Sequence, residues 1–191
     1  MVAEGRLRYT EINGTWFIIL SGDARLKLVS SLEFLIKQAM DKPNTRIVID
    51  VSQADGLDSS CLGTLVKIID RPVSPYTLRP IMLTWEDLDE LLRSIRFDLL
   101  FDLIKISDDK VTSDTYHTAA ANIHEDEIKR LYENIQTELK SVPTVNVSDS
   151  DMKKLLLEAH QRLCTIDAKT KTIFQPVVDI MEAEIQTKTT V

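Results

Sequence analysis

The sequence predicts an α/β domain over residues 1–110, a mixed sheet of four to five strands packed with helices, followed by an all-α extension of about three helices over residues 111–191. Three observations carry this expectation. Up to about residue 100, short apolar runs rich in branched side chains alternate with stripes of helical period. All five glycines, at positions 5, 14, 22, 56 and 63, fall in the first 63 of 191 residues. The rest lacks the residue that serves tight turns and is not expected to be built of hairpins. Beyond residue 114, three amphipathic stripes follow one another with no strand pattern between them.

The elements follow in order. Residues 5–12 alternate Leu7 and Tyr9 and run into Asn13-Gly14, whose positive dihedrals suit a tight hairpin, so residues 16–20 return antiparallel. Gly22 is expected to end that strand. Leu28, Leu32, Leu35, Ile36 and Ala39 share one helix face that stops near Pro43. Residues 47–51 read as a strand buried on both faces, and residues 52–58 as a loop. A second helix opens at Ser59 or Ser60, with Leu62, Leu65, Val66 and Ile69 on one side. Pro72, Pro75 and Pro80 then force an extended connection into a third core strand, residues 81–83. Leu88, Leu91, Leu92 and Ile95 mark the next helix, and residues 97–106 close the domain as a short helix or edge strand. Such alternation implies parallel pairing with right-handed crossovers.

The polar stretch 107–114 separates the two halves. Ile128, Leu131, Ile135 and Leu139 predict one helix; Met152, Leu155, Leu156, Ala159 and Leu163 a second; Ile173, Phe174, Val177, Val178 and Met181 a third. Ser148, Asp149 and Ser150 are candidate caps of the middle one. These faces must bundle, pack on the first domain, or pair with a partner or a second copy.

Composition narrows the function. A net charge of -7 argues against a polyanion as main partner, so no nucleic acid is expected. The longest apolar run, residues 16–20, is far short of a bilayer span, and the first five residues lack the basic start of a signal peptide. No membrane insertion is expected. Cys61 and Cys164 form no Cys-x-x-Cys pair, which suggests neither a disulfide framework nor zinc and favours the cytoplasm. His117, His124 and His160 are not grouped with acids at metal-ligand spacing, and no nucleophile elbow or phosphate-cradling loop occurs. A non-enzymatic protein without metal or cofactor is the expectation.

The specific segment is Ile49-Asp50-Val51-Ser52-Gln53-Ala54-Asp55-Gly56-Leu57-Asp58-Ser59-Ser60-Cys61-Leu62-Gly63-Thr64. A strand delivers Asp58-Ser59-Ser60 to a helix start, where unpaired amides and a partial positive charge tolerate a phosphate. A phosphate on Ser59 adds about -1.5 to -2 charges beside Asp58 and near Asp55. Binding of a partner fitted to the neutral hydroxyl would weaken while the fold remained. Taken alone, the same residues also suit a plain cap by Asp58 or Ser59, with Gly63 allowing close helix-to-sheet packing.

With its preceding Asp50-Val51-Ser52, the segment Leu57-Asp58-Ser59-Ser60-Cys61-Leu62-Gly63 resembles the signature of the STAS family, the sulfate-transporter and anti-sigma-factor-antagonist domain. The order of hairpin, strands and helices over residues 1–110 suits that family too. The resemblance implies an anti-sigma-factor antagonist that works by partner switching: it binds an anti-sigma factor or serine kinase of the histidine-kinase-like ATPase fold, releases it when Ser59 is phosphorylated, and is reset by a serine phosphatase. Ser60 is the lesser modification candidate. Asp55, Gly56, Asp58, Ser59, Ser60, Cys61, Gly63 and Thr64 would form the docking surface. Cys61 replaces the family's glycine; a side chain there is expected to crowd the partner's approach or change the helix start, and its thiol, at an exposed helix end, to have a lowered pKa. The alternative is a constitutive STAS subunit or scaffold that docks an ATPase, as in an ABC lipid transporter or sensory complex, without phosphorylation. The C-terminal helices are assigned a homodimer or second partner contact. His160, within an apolar stripe, raises a phosphotransfer histidine, but Gln161-Arg162-Leu163 lacks the usual following lysine and glycine, so a surface or half-buried histidine is expected.

Overall fold

The computed structural model describes residues 3–42, 45–70, 79–107, 110–112, 135 and 138–189. Asn13 and Gly14 take positive φ, 51° and 76°, and fold β1 (Arg6–Ile12) antiparallel onto β2 (Thr15–Ala24), with Ile12 opposite Thr15. The hairpin expected from Asn-Gly is therefore present. A 3-10 turn leads into α1 (Val29–Met40), whose Leu32, Leu35, Ile36 and Ala39 are buried. Then come β3 (Arg46–Leu57), α2 (Ser59–Val66), β4 (Ile81–Thr84), α3 (Glu86–Ser94) and β5 (Asp102–Ser107).

Strands β2 to β5 pair in parallel, and the described residues form one seven-stranded sheet: β6 (Lys110–Thr112), β5, β4, β3, β2, β1 and β7 (Lys140–Ser141). The α/β class, the mixed sheet and the C-terminal helices agree with expectation. The strand count exceeds four to five because both edges gain short antiparallel strands from polar segments. Edge pairing uses main-chain groups and leaves little apolar signature. β5 is consequently covered by β6 rather than being the edge, and a 3-10 turn, Phe97–Leu99, precedes it.

Two other boundaries shift. β2 continues past Gly22, and β3 runs on through the segment read as a loop, pairing Ser21 with Gln53 and Ala24 with Leu57 across two register shifts. These bulges break the period-two pattern that would have disclosed a strand. Alternate side chains of β2 enter two cores: Ile18 and Leu20 join the helices, while Phe17 and Ile19 pack with Val48, Ile81, Leu83 and Ile135. The three crossover helices contribute to the first cluster, so they cover one sheet face. On α3, Leu88 and Leu92 are buried, but Leu91 is 45% exposed, contrary to its placement on the inner face.

The C-terminal part supplies α4 (Asp149–Leu163) and α5 (Ala168–Thr189). Ser148 caps α4 through the Asp151 amide, as expected. Asp167 accepts from the Thr170 amide at 2.7 Å, which starts α5. Of the helix expected around Ile128 and Leu131, only Ile135 and the non-helical Leu139 lie within the described residues. Val145 exchanges hydrogen bonds with Ser30 and Ser31, the Thr170 hydroxyl donates to the Ile95 carbonyl, and α4 lies against α2. The C-terminal segment thus wraps the helical face.

Gly22 has φ of 65°, and a Cβ there would lie 2.5 Å from the Glu4 carbonyl oxygen. Gly22→Ala is expected to destabilise the protein by about 1–3 kcal/mol. Urea unfolding followed by circular dichroism measures this, and an unchanged midpoint contradicts it.

Candidate functional site

Asp58 sits between the carboxyl end of β3 and the first turn of α2 with extended backbone (φ −89°, ψ 169°), the geometry of an N-cap. Its Oδ1 accepts from the Cys61 amide at 2.9 Å and from the Ser60 hydroxyl at 2.5 Å. Its Oδ2 accepts from the Leu26 amide at 2.9 Å. One carboxylate therefore satisfies an orphan donor of α2 and ties that helix to the chain leaving β2. The buried Ser60 hydroxyl is used up here.

Ser59 is placed differently. It takes no part in the cap, is half-buried, and its Oγ lies 2.9 Å from Nε2 of His160 on α4. The other ring nitrogen, Nδ1, is 2.7 Å from the Leu156 carbonyl oxygen. A carbonyl only accepts, so Nδ1 carries the proton and Nε2 accepts from the Ser59 hydroxyl. Sequence reasoning placed His160 at the surface or half-buried; it is buried at 8% exposure. The clue was its position on the α4 stripe, four residues after Leu156 and three before Leu163.

The remaining candidates divide into two groups. Asp55 is exposed and its Oδ2 accepts from the Ala3 amide, while Gly56 is half-buried opposite Asp23. Asp23 pairs with Arg25, and both side chains lie beside Gly56. Cys61, Gly63 and Thr64 are buried, as is the rest of α2 from Ser60 to Val66. They offer no open surface: Cys61 faces the core and the Arg25 carbonyl, and Gly63 lies under Ala159 of α4. A Cβ on Gly63 would come within 2.1 Å of the Ala159 carbonyl oxygen, so glycine here serves a helix-to-helix crossing rather than the helix-to-sheet contact anticipated.

Cys61 corrects the expectation of an exposed, activated thiol. Its side chain is fully buried, with Sγ 3.4 Å from the Arg25 carbonyl oxygen. Burial, reinforced by the Asp58 charge and hydrogen bond, pushes the thiol pKa up rather than down. Pointing inward, this side chain does not crowd an approaching partner. Burial likewise raises the Cys164 thiol.

No cluster of metal-ligating side chains occurs among the described residues, and no described helix is long and apolar enough to cross a membrane. No family model matches the sequence, and no curated protein does. Solved structures similar to this chain include the crystal structure of a "putative anti-sigma factor antagonist" from Thermotoga maritima, 16% identical with a TM-score of 0.39, over 53% of this chain and 86% of that one.

Asp58→Ala removes the cap of α2, leaves the buried Ser60 hydroxyl and the Cys61 amide without their acceptor, and cuts the tie to the Leu26 amide. A loss of at least about 2 kcal/mol is expected by chemical denaturation. A loss below about 0.5 kcal/mol, the range of ordinary surface substitutions, contradicts the role given to this carboxylate.

Proposed function

We propose that this chain is a STAS-type regulatory protein of the cytoplasm, an anti-sigma-factor antagonist that works by partner switching at the start of α2. The unmodified form binds an anti-sigma factor or serine kinase of the histidine-kinase-like ATPase fold; phosphorylation of Ser59 releases it, and a serine phosphatase restores the binding form. The reading has protein partners, no catalytic step of its own and no cofactor.

The observation that favours it is the division of labour between Asp58 and Ser59. In a plain cap the serine oxygen would be spent on the helix, whereas here Asp58 does the capping. The Ser59 hydroxyl is not spent on the cap and instead meets His160 of α4. A phosphate on that oxygen stands at a helix start whose amide at Cys61 is already satisfied by the neighbouring Asp58 carboxylate. Repulsion of an approaching partner then dominates over helix-dipole stabilisation, the sense required of a release signal. Ser60 suits modification less well, being 4% exposed and committed to Asp58.

The test is incubation of the full chain with its cognate kinase and ATP, with the phosphate located by mass spectrometry. A single phosphate on Ser59 is expected, lost in Ser59→Ala and kept in Ser60→Ala. Ser59→Asp should weaken kinase binding by about tenfold or more, equivalent to about 1.4 kcal/mol. Phosphate at another residue, or unchanged binding by Ser59→Asp, overturns the proposal. Stable co-purification of a transporter ATPase, with no kinase, would favour the constitutive-subunit reading.

A further inference from the structure

The helix that the proposed reading offers to a partner is already occupied by the chain's own α4. The contact centres on Gly63, where absence of a side chain lets the Ala159 backbone lie against α2. Around it, polar pairs flank the apolar contacts of Leu155 and Leu163 with the core. Ser59 donates to His160 at one end of α2; just beyond the other, Lys67 meets Glu158 at 2.9 Å and Arg162 pairs with Asp70. Lys67 also meets Glu33 of α1 at 2.8 Å. Of the fifteen residues of α4, Ala159, His160 and Leu163 are buried, and Met152, Leu155, Leu156 and Leu157 are half-buried. Leu163 belongs to the core cluster that holds Leu62, Leu65 and Val66, and Leu155 packs against it, so opening α4 bares an apolar stripe and a partner that takes its seat must supply an equivalent one. Hydrogen bonds from Ser30 and Ser31 to the preceding segment keep it beside its seat.

We propose that α4 is a built-in competitor for the α2 surface, a latch that a partner must displace. This rests on the reading of α2 as the docking helix and extends it to the kind of partner: an amphipathic helix that presents a small residue where it crosses Gly63. The latch and the modification exclude one another. With Oγ and Nε2 at hydrogen-bond distance, a phosphoryl group on Ser59 takes the place of the His160 ring, and the esterified oxygen has no proton to donate. Phosphorylation therefore requires α4 to open and then prevents it from closing in the same geometry.

The experiment uses the full chain, its Ala159→Glu and His160→Ala variants, and a fluorescent synthetic peptide of residues 148–165. Ala159→Glu places a carboxylate in the crossing while leaving α2 intact; His160→Ala removes the ring with its Ser59 bond and its contact with Phe174. In the wild type the tethered helix holds its seat at high effective concentration and excludes the peptide. The peptide should bind Ala159→Glu at least about tenfold more tightly than the wild type. Hydrogen exchange should quicken at the α2 amides in both variants while β3 and β4 stay protected. Equal peptide binding to both chains, or binding to neither, overturns the latch. So does loss of protection throughout the sheet, which makes α4 an integral part of the core. Neither readout involves a kinase or phosphate, so a chain never modified at Ser59 can still pass, and a modified one can still fail.

Discussion

The carboxylate of Asp58 is the joint on which the arrangement around the start of α2 depends. Bonds to the Leu26 amide, the Ser60 hydroxyl and the Cys61 amide fix where α2 begins and which way its first residues face. With the helix started there, Ser60 and Cys61 turn inward and Ser59 is left to face α4. A start one residue later would turn each side chain by about 100° around the axis, one step of a 3.6-residue turn, and Ser59 would no longer meet His160. The chemistry available to Ser59 is thus set by its neighbour's choice of partners rather than by its own identity.

The same joint explains how the C-terminal segment relates to the sheet. Once α2 is seated over β3, its outer side carries Gly63 at the crossing, with Ser59 and Lys67 to either side. α4 matches these with a bare backbone at Ala159, a hydrogen-bond acceptor at His160 and a carboxylate at Glu158. Lys67 holds its ammonium between Glu33 and Glu158 with little exposure, so these polar pairs fix where α4 crosses α2 while Leu155 and Leu163 pack into the core beside them.

Much of this was legible in the sequence, and the losses have identifiable causes. Asn13-Gly14, the runs at residues 47–51 and 81–83, and the apolar stripes of α1 and α2 announced the domain because each obeys one period and one turn chemistry. β3 beyond Ser52 was not legible because bulges interrupt its alternation, and β6 and β7 were not because edge strands need few apolar side chains. The Asp58-Ser59-Ser60 run marked a helix start, yet could not say which residue caps. That depends on the Leu26 amide arriving from thirty-two positions away. Cys61 was misjudged for a related reason: a helix start looks exposed in sequence, but this one is buried beneath the chain that leaves β2. The stripe around His160 does not disclose its partner, which lies 101 residues away on another element.

The account's central claim is that Ser59 is held by α4 through His160, and nitrogen-15 NMR of histidine-labelled protein reads it directly. His160→Gln assigns the resonance, and Ser59→Ala removes the proposed donor. For the neutral ring the structure predicts the tautomer protonated at Nδ1, with an Nε2 resonance that moves when Ser59 becomes alanine. A ring protonated at Nε2, or one indifferent to Ser59→Ala, would contradict it.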